Sequence, residues 1–135
     1  MRPIAFALEL EGEAVALDGG RYWVETRERT DSDGASGAVC RRELELWNDG
    51  SLVQTGELTF GAADAVTFRA RGALGASPDP CLRHGTAVLE VTGGRGRFTG
   101  ARGYVTSNFL LADNGGLTDH NLGLLFLERS SREEE

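Results

Sequence analysis

The chain contains no lysine; all fourteen of its basic residues are arginine. It therefore has no side-chain amine to form a Schiff base with a ketone substrate or with pyridoxal phosphate. Cysteine is almost as scarce. Cys40 and Cys81 are the only two, no C-x-x-C occurs, and this count suggests neither a disulfide framework nor a thiolate metal site. His84 and His120 lie far apart with no other ligands clustered around them, so we expect no metal and no other cofactor. Long apolar runs are also missing. No stretch approaches the about 18 residues of a spanning helix. The run that opens the chain is short and broken by Glu9 and Glu11, unlike a secretory signal. We expect a cytoplasmic protein with reduced thiols. Positive charge is in deficit, with a net −7 over 135 residues. Such a chain offers no basic face to nucleic acid or to an anionic membrane. Proline is rare, at three residues against nineteen glycines, but 40% hydrophobic content argues for tight turns and a packed core over disorder.

What is present is alternation. Apolar residues recur at period two almost everywhere, and no window sustains a helical period. Strands are expected near residues 4–17, 21–30, 38–47, 52–60, 65–74, 86–92, 102–112 and 117–128. Asn48-Asp49-Gly50 and Asn114-Gly115-Gly116 read as hairpin turns. Asp31-Ser32-Asp33-Gly34 is a third. It is not a calcium loop, because glycine comes too early and no helices flank it. Short connections between about eight strands point to an antiparallel up-and-down β-barrel, with a sandwich as the other architecture. The expectation is an all-β single domain over residues 1–129, followed by a disordered acidic tail over 130–135.

Between Val91 and Tyr104 the chain reads V-T-G-G-R-G-R-F-T-G-A-R-G-Y. Glycine permits positive φ and close backbone approach, so this is a tight corner between two strands. It is not a dinucleotide fingerprint. Gly94 and Gly96 have the first spacing, but Thr99 stands where the third glycine belongs, and a strand follows in place of a helix. The stretch resembles the signature of the dirigent and allene oxide cyclase barrel superfamily. The matching positions are Gly93, Gly94, Gly96, Phe98, Ala101, Arg102, Gly103 and Tyr104, while Arg95 replaces the usual threonine. The resemblance implies an eight-stranded barrel that forms a homodimer or homotrimer. It also implies binding of a small, largely apolar reactive intermediate. Allene oxide cyclases close a ring on an unsaturated fatty-acid epoxide, and dirigent proteins orient radicals. Similar bacterial barrels cyclise polyketide chains, including by intramolecular Diels–Alder cycloaddition.

Alternation also suggests which side chains face inward. The apolar parity is Ile4/Phe6/Leu8/Leu10, Cys40/Leu44/Leu46, Leu52/Leu58/Phe60, Val66/Phe68/Leu74, Ala87/Leu89/Val91 and Leu122/Leu124/Phe126. Polar residues on that parity matter most, because burying them unpaired costs several kcal/mol, about 2–7. They are Arg42, Gln54 and His120. Histidine suits proton transfer near neutral pH. His120 is either such a group or a structural residue bonded to backbone or to Asp119. Arg42 either orients a substrate oxygen or, after a one-residue bulge, points to solvent beside Arg41. Gln54 reads as a cross-strand hydrogen bonder. Two strands are ambiguous: Trp23 or Val24 faces inward in one, and Tyr104 and Asn108 or Ser107 and Phe109 in the other. The expected substrate-binding wall is Gln54, Tyr104, Asn108, Trp23, Leu44, Phe60, Phe68, Leu124 and Phe126, with His120 and Arg42 as catalytic candidates.

The sequence contains no G-x-S-x-G or other nucleophile motif. Ring closure by confinement needs none, which suits a cofactor-independent cyclase or isomerase. A non-catalytic carrier of hydrophobic ligands needs the same barrel, and a structural barrel with a filled core is the third reading.

Overall fold

The computed structural model describes residues 1–29 and 37–128. Eight strands follow one another: β1 (Arg2–Ala16), β2 (Arg21–Glu28), β3 (Ala38–Leu46), β4 (Ser51–Phe60), β5 (Asp64–Ala76), β6 (Leu82–Arg95), β7 (Arg102–Ala112) and β8 (Gly116–Leu127). Each pairs antiparallel with the next, and β1 closes on β8 from Arg2↔Leu127 to Glu13↔Gly116. Closure leaves no strand edge unpaired. The expected turn at residues 31–34 and the tail at 130–135 lie outside the described residues.

The hairpin turns form as the sequence suggests. Gly50 takes a φ of 88° and the Ser51 N–H donates to Asp49 Oδ1 at 2.9 Å. At the β7–β8 turn the Gly116 N–H donates to Asn114 Oδ1, also at 2.9 Å. Period-two burial runs through the strands, interrupted where Leu58 and Thr59 on β4 and Ala65 and Val66 on β5 are both buried, and the interior is filled mainly by Leu, Val and Phe. Two inward glycines make room for rings from the neighbouring strand. Phe6 covers Gly123 and Phe109 covers Gly85, and a Cβ at either glycine would overlap the ring.

The glycine corner closes one end of the barrel. The register slips between Thr67 and Phe68, where β6 carries an extra residue, and a single 3₁₀ turn (Gly96–Phe98) follows. Such a bulge bends its strand locally. Phe98 is buried with its ring centroid 5.2 Å from that of Phe60, which in turn meets Phe6 edge-on at 5.8 Å. Asp64 accepts the Arg97 N–H at 3.1 Å and pairs with the Arg97 guanidinium. That arrangement pins the corner to the start of β5.

The outer wall differs from strand to strand. Across β2–β6 it carries exposed ion pairs, among them Arg21–Glu43, Arg41–Glu25, Arg69–Glu90 and Arg95–Glu57. Arginine and glutamate thus meet outside the barrel, on neighbouring strands in the first three pairs and across β5 in Arg95–Glu57. Over β6–β8 the exposed large hydrophobic side chains are Val88, Tyr104, Leu122, Leu124 and Phe126.

The last of these overturns part of the inward assignment. β8 buries Leu117, Asp119, Asn121, Leu125 and Leu127, and turns Leu122, Leu124, Phe126 and His120 outward. The apolar count was nearly equal on the two faces of this strand. The face turned inward is the one that carries Asp119, whose carboxylate finds Arg42 and Ser107 inside, and alternation within one strand does not reveal those partners. The two ambiguous strands are also resolved. β2 buries Val24 and Thr26 and exposes Trp23, while β7 buries Val105, Ser107 and Phe109 and exposes Tyr104 and Asn108.

Candidate functional site

A polar centre lies inside an otherwise apolar barrel. Among the described residues, Arg42 and Asp119 are the fully buried charged side chains. Arg42 projects inward from β3, opposite Val24 on β2 and Gly56 on β4. Gly56 is needed there, because a Cβ would press on the Arg42 backbone and Cβ. The guanidinium crosses to β8, where Nη2 donates to Asp119 Oδ2 at 3.0 Å. The other carboxylate oxygen, Oδ1, accepts the Ser107 hydroxyl at 2.6 Å. Phe109, paired with Asp119 across the β7–β8 ladder, places its ring 5.9 Å from the guanidinium carbon.

Other neutral polar groups surround this pair. Gln54 on β4 and Thr26 on β2 sit diagonally across the ladder from Arg42, and Asn121 is two residues beyond Asp119, opposite Ser107. All are buried. Arg42 Nε and Nη1, both amide atoms of Gln54 and of Asn121, and Thr26 Oγ1 make no hydrogen bond to the protein. A buried donor or acceptor left unmatched costs about 1–3 kcal/mol. Native interiors rarely accumulate several in one place, so these atoms have capacity for further hydrogen-bond partners.

Electrostatics keep Arg42 charged. Burial works against the Arg42 charge, but the pull of Cys40 (felt only at alkaline pH, where that thiol ionises), the attraction of Asp119 and the Asp119 hydrogen bond outweigh it, and its pKa is held above the ordinary value. Cys40 lies on the same face of β3. Burial pushes its thiol up to about 11 against the pull of Arg42, so it stays protonated at neutral pH.

The expected site residues therefore divide. Arg42, Gln54, Leu44 and Phe68 face the interior, with Phe60 half-buried at the corner end. The placement of His120, Tyr104, Asn108, Trp23, Leu124 and Phe126 inside the barrel is corrected: all six lie on the outer wall. His120 Nδ1 stands 3.5 Å from Glu9 Oε1 on β1, and Asn108 Oδ1 is 3.4 Å from His84 Nε2. Sequence reasoning missed Asp119 and Asn121, and left Ser107 and Thr26 on one of two possible inward faces. For Asp119 and Asn121 the structure supplies the link: Gly123 shares their parity and faces Phe6, a residue already assigned inward. Among the described residues no group of three His, Cys, Asp or Glu side chains could hold a metal ion. No helix there is long and apolar enough to cross a membrane.

No family model and no curated protein matches the chain. Among solved structures it is similar to the pterocarpan synthase dirigent protein GePTS1, with a TM-score of 0.64. The match covers 94% of this chain and 92% of that one, at 10% sequence identity. The fold is a dirigent-like β-barrel.

Proposed function

We propose that the chain is a cofactor-independent cyclase or isomerase. It folds a small, largely apolar reactive intermediate of polyketide or oxylipin type inside the barrel for ring closure, with intramolecular Diels–Alder cycloaddition as one such reaction. The observation that carries this reading is the set of unpartnered donors at Arg42, Gln54 and Asn121 within apolar walls. Arg42 Nε–H and Nη1–H suit a carbonyl oxygen whose negative charge grows during bond formation. Asp119 and Ser107 fix the guanidinium beforehand, so little reorganisation is required of it. Leu44, Phe68 and Leu89 supply the walls that hold two ends of a flexible chain close together. Confinement of that kind can contribute about 7–11 kcal/mol of barrier reduction. Ring closure retains every substrate atom and needs no net proton acceptor. That suits a centre whose buried carboxylate is already engaged at both oxygens.

The test is single-turnover ring closure over a panel of linear polyunsaturated ketones. One stereoisomer should form faster than in buffer, and Arg42→Gln should lose about 10- to 1,000-fold. Racemic product at the buffer rate would oppose the reading. The same engaged carboxylate also favours a second reading, a non-catalytic carrier of hydrophobic ligands, which would bind these ketones and return them unchanged. The working form in either case is a homodimer or homotrimer. The uncharged strip of Val88, Tyr104, Leu122, Leu124 and Phe126 supports that assignment.

A further inference from the structure

We infer that Asp119 is a specificity-determining residue that makes the barrel select neutral carbonyl ligands and reject the corresponding carboxylates. The inference rests on the reading above that ligands bind inside the barrel. Within the described interior the fully buried charges are Arg42, positive, and Asp119, negative, so the polar centre is neutral before any ligand arrives. Arg42 still offers Nε–H and Nη1–H. A ketone or amide oxygen accepts from them and leaves the centre neutral. A carboxylate would accept from the same atoms but would share one guanidinium with Asp119 and leave a net buried negative charge. Two carboxylates held at one site do not both stay ionised without a large penalty.

Among the described residues no other interior group removes that penalty. Gln54, Asn121 and Thr26 can donate hydrogen bonds but carry no charge. Cys40, on the Arg42 strand, stays protonated, and Ser107 already donates to Asp119. Glu28, half-buried on β2 at the corner end, can only add negative charge. An arginine buried among apolar side chains would favour an acid as its partner, and here its built-in counter-ion reverses that expectation.

The experiment uses the full chain and an environment-sensitive apolar fluorophore. The fluorophore is displaced by three ligands of one alkyl skeleton: methyl ketone, primary amide and carboxylic acid. At pH 7.5 the ketone and amide should bind about 100-fold more tightly than the acid. Asp119→Asn keeps the shape and an acceptor for Ser107 but frees the Arg42 charge. Acid affinity should then rise at least about tenfold while ketone affinity changes little. The wild-type chain provides a test that needs no variant to fold. Its apparent acid affinity should fall about tenfold per pH unit from pH 6 to 8, because the protonated acid alone is accepted, while the ketone stays flat. Acid binding as tight as ketone binding, pH-independent acid binding, or an unchanged ratio in a folded Asp119→Asn would each overturn the inference. A fluorophore and ligands that do not bind at all would instead defeat the interior-binding reading itself.

Discussion

Arg42 and Asp119, 77 residues apart in the chain, meet inside the barrel with Nη2 3.0 Å from Oδ2 and neither side chain exposed. Removing one partner of such a pair strands the other in a medium that solvates it poorly. Arg42→Met and Asp119→Leu should each destabilise the fold by about 3–5 kcal/mol, while the double substitution should recover most of that loss. Urea midpoints of the two single variants and the double complete the cycle. Strictly additive losses would mean that the two side chains are not coupled.

The glycine corner depends on one ring. Phe98 is buried against Phe60 under the Arg97 guanidinium, so Phe98→Ala should cost about 3–5 kcal/mol. The thermal or urea midpoint measures it, and an unchanged midpoint would place the ring in solvent.

Cys40 carries a pH signature. Its thiol ionises at about 11 when folded, against 9.0 for the ordinary group. Below pH 9 both folded and unfolded chains hold the proton. Between pH 9 and 11 the unfolded chain releases it first, so stability falls across that window by about 2–3 kcal/mol. Cys40→Ala should remove this component of the alkaline loss. In the native protein iodoacetamide should label exposed Cys81 and spare Cys40.

The apolar strip on β6–β8 should hold copies of the chain together. Leu124→Glu places a charge at its middle, next to Tyr104 on the neighbouring strand. Sedimentation at micromolar concentration should give a dimer or trimer for the wild type and a monomer for the variant. A wild-type monomer would remove the assembly from the account.

Most of the architecture was legible in the sequence because a half-buried strand must alternate and a hairpin needs its glycine. Arg42 and Gln54 could be placed inside from the leucines that share their parity. β8 could not be read that way. Leu122, Leu124 and Phe126 offered a better apolar face than Leu117, Leu125 and Leu127 interrupted by Asp119 and Asn121. Only a partner from β3, distant in sequence, makes Asp119 a tolerable core residue, and alternation within one strand carries no information about that partner. The same error would have sent a bulky probe to the wrong place. Leu124→Trp leaves the interior untouched, whereas Leu44 is buried within it.

Leu44→Trp therefore supports the most direct measurement of the central claim, that a small ligand binds beside Arg42 within the barrel. The arginine Nε–H resonances of ¹⁵N-labelled protein are followed while an apolar methyl ketone is titrated, in the wild type and in a folded Leu44→Trp. The account predicts a saturable shift of the Arg42 signal in the wild type and its loss when the interior is filled. An Arg42 signal that never moves, or one that shifts equally in both proteins, would contradict it.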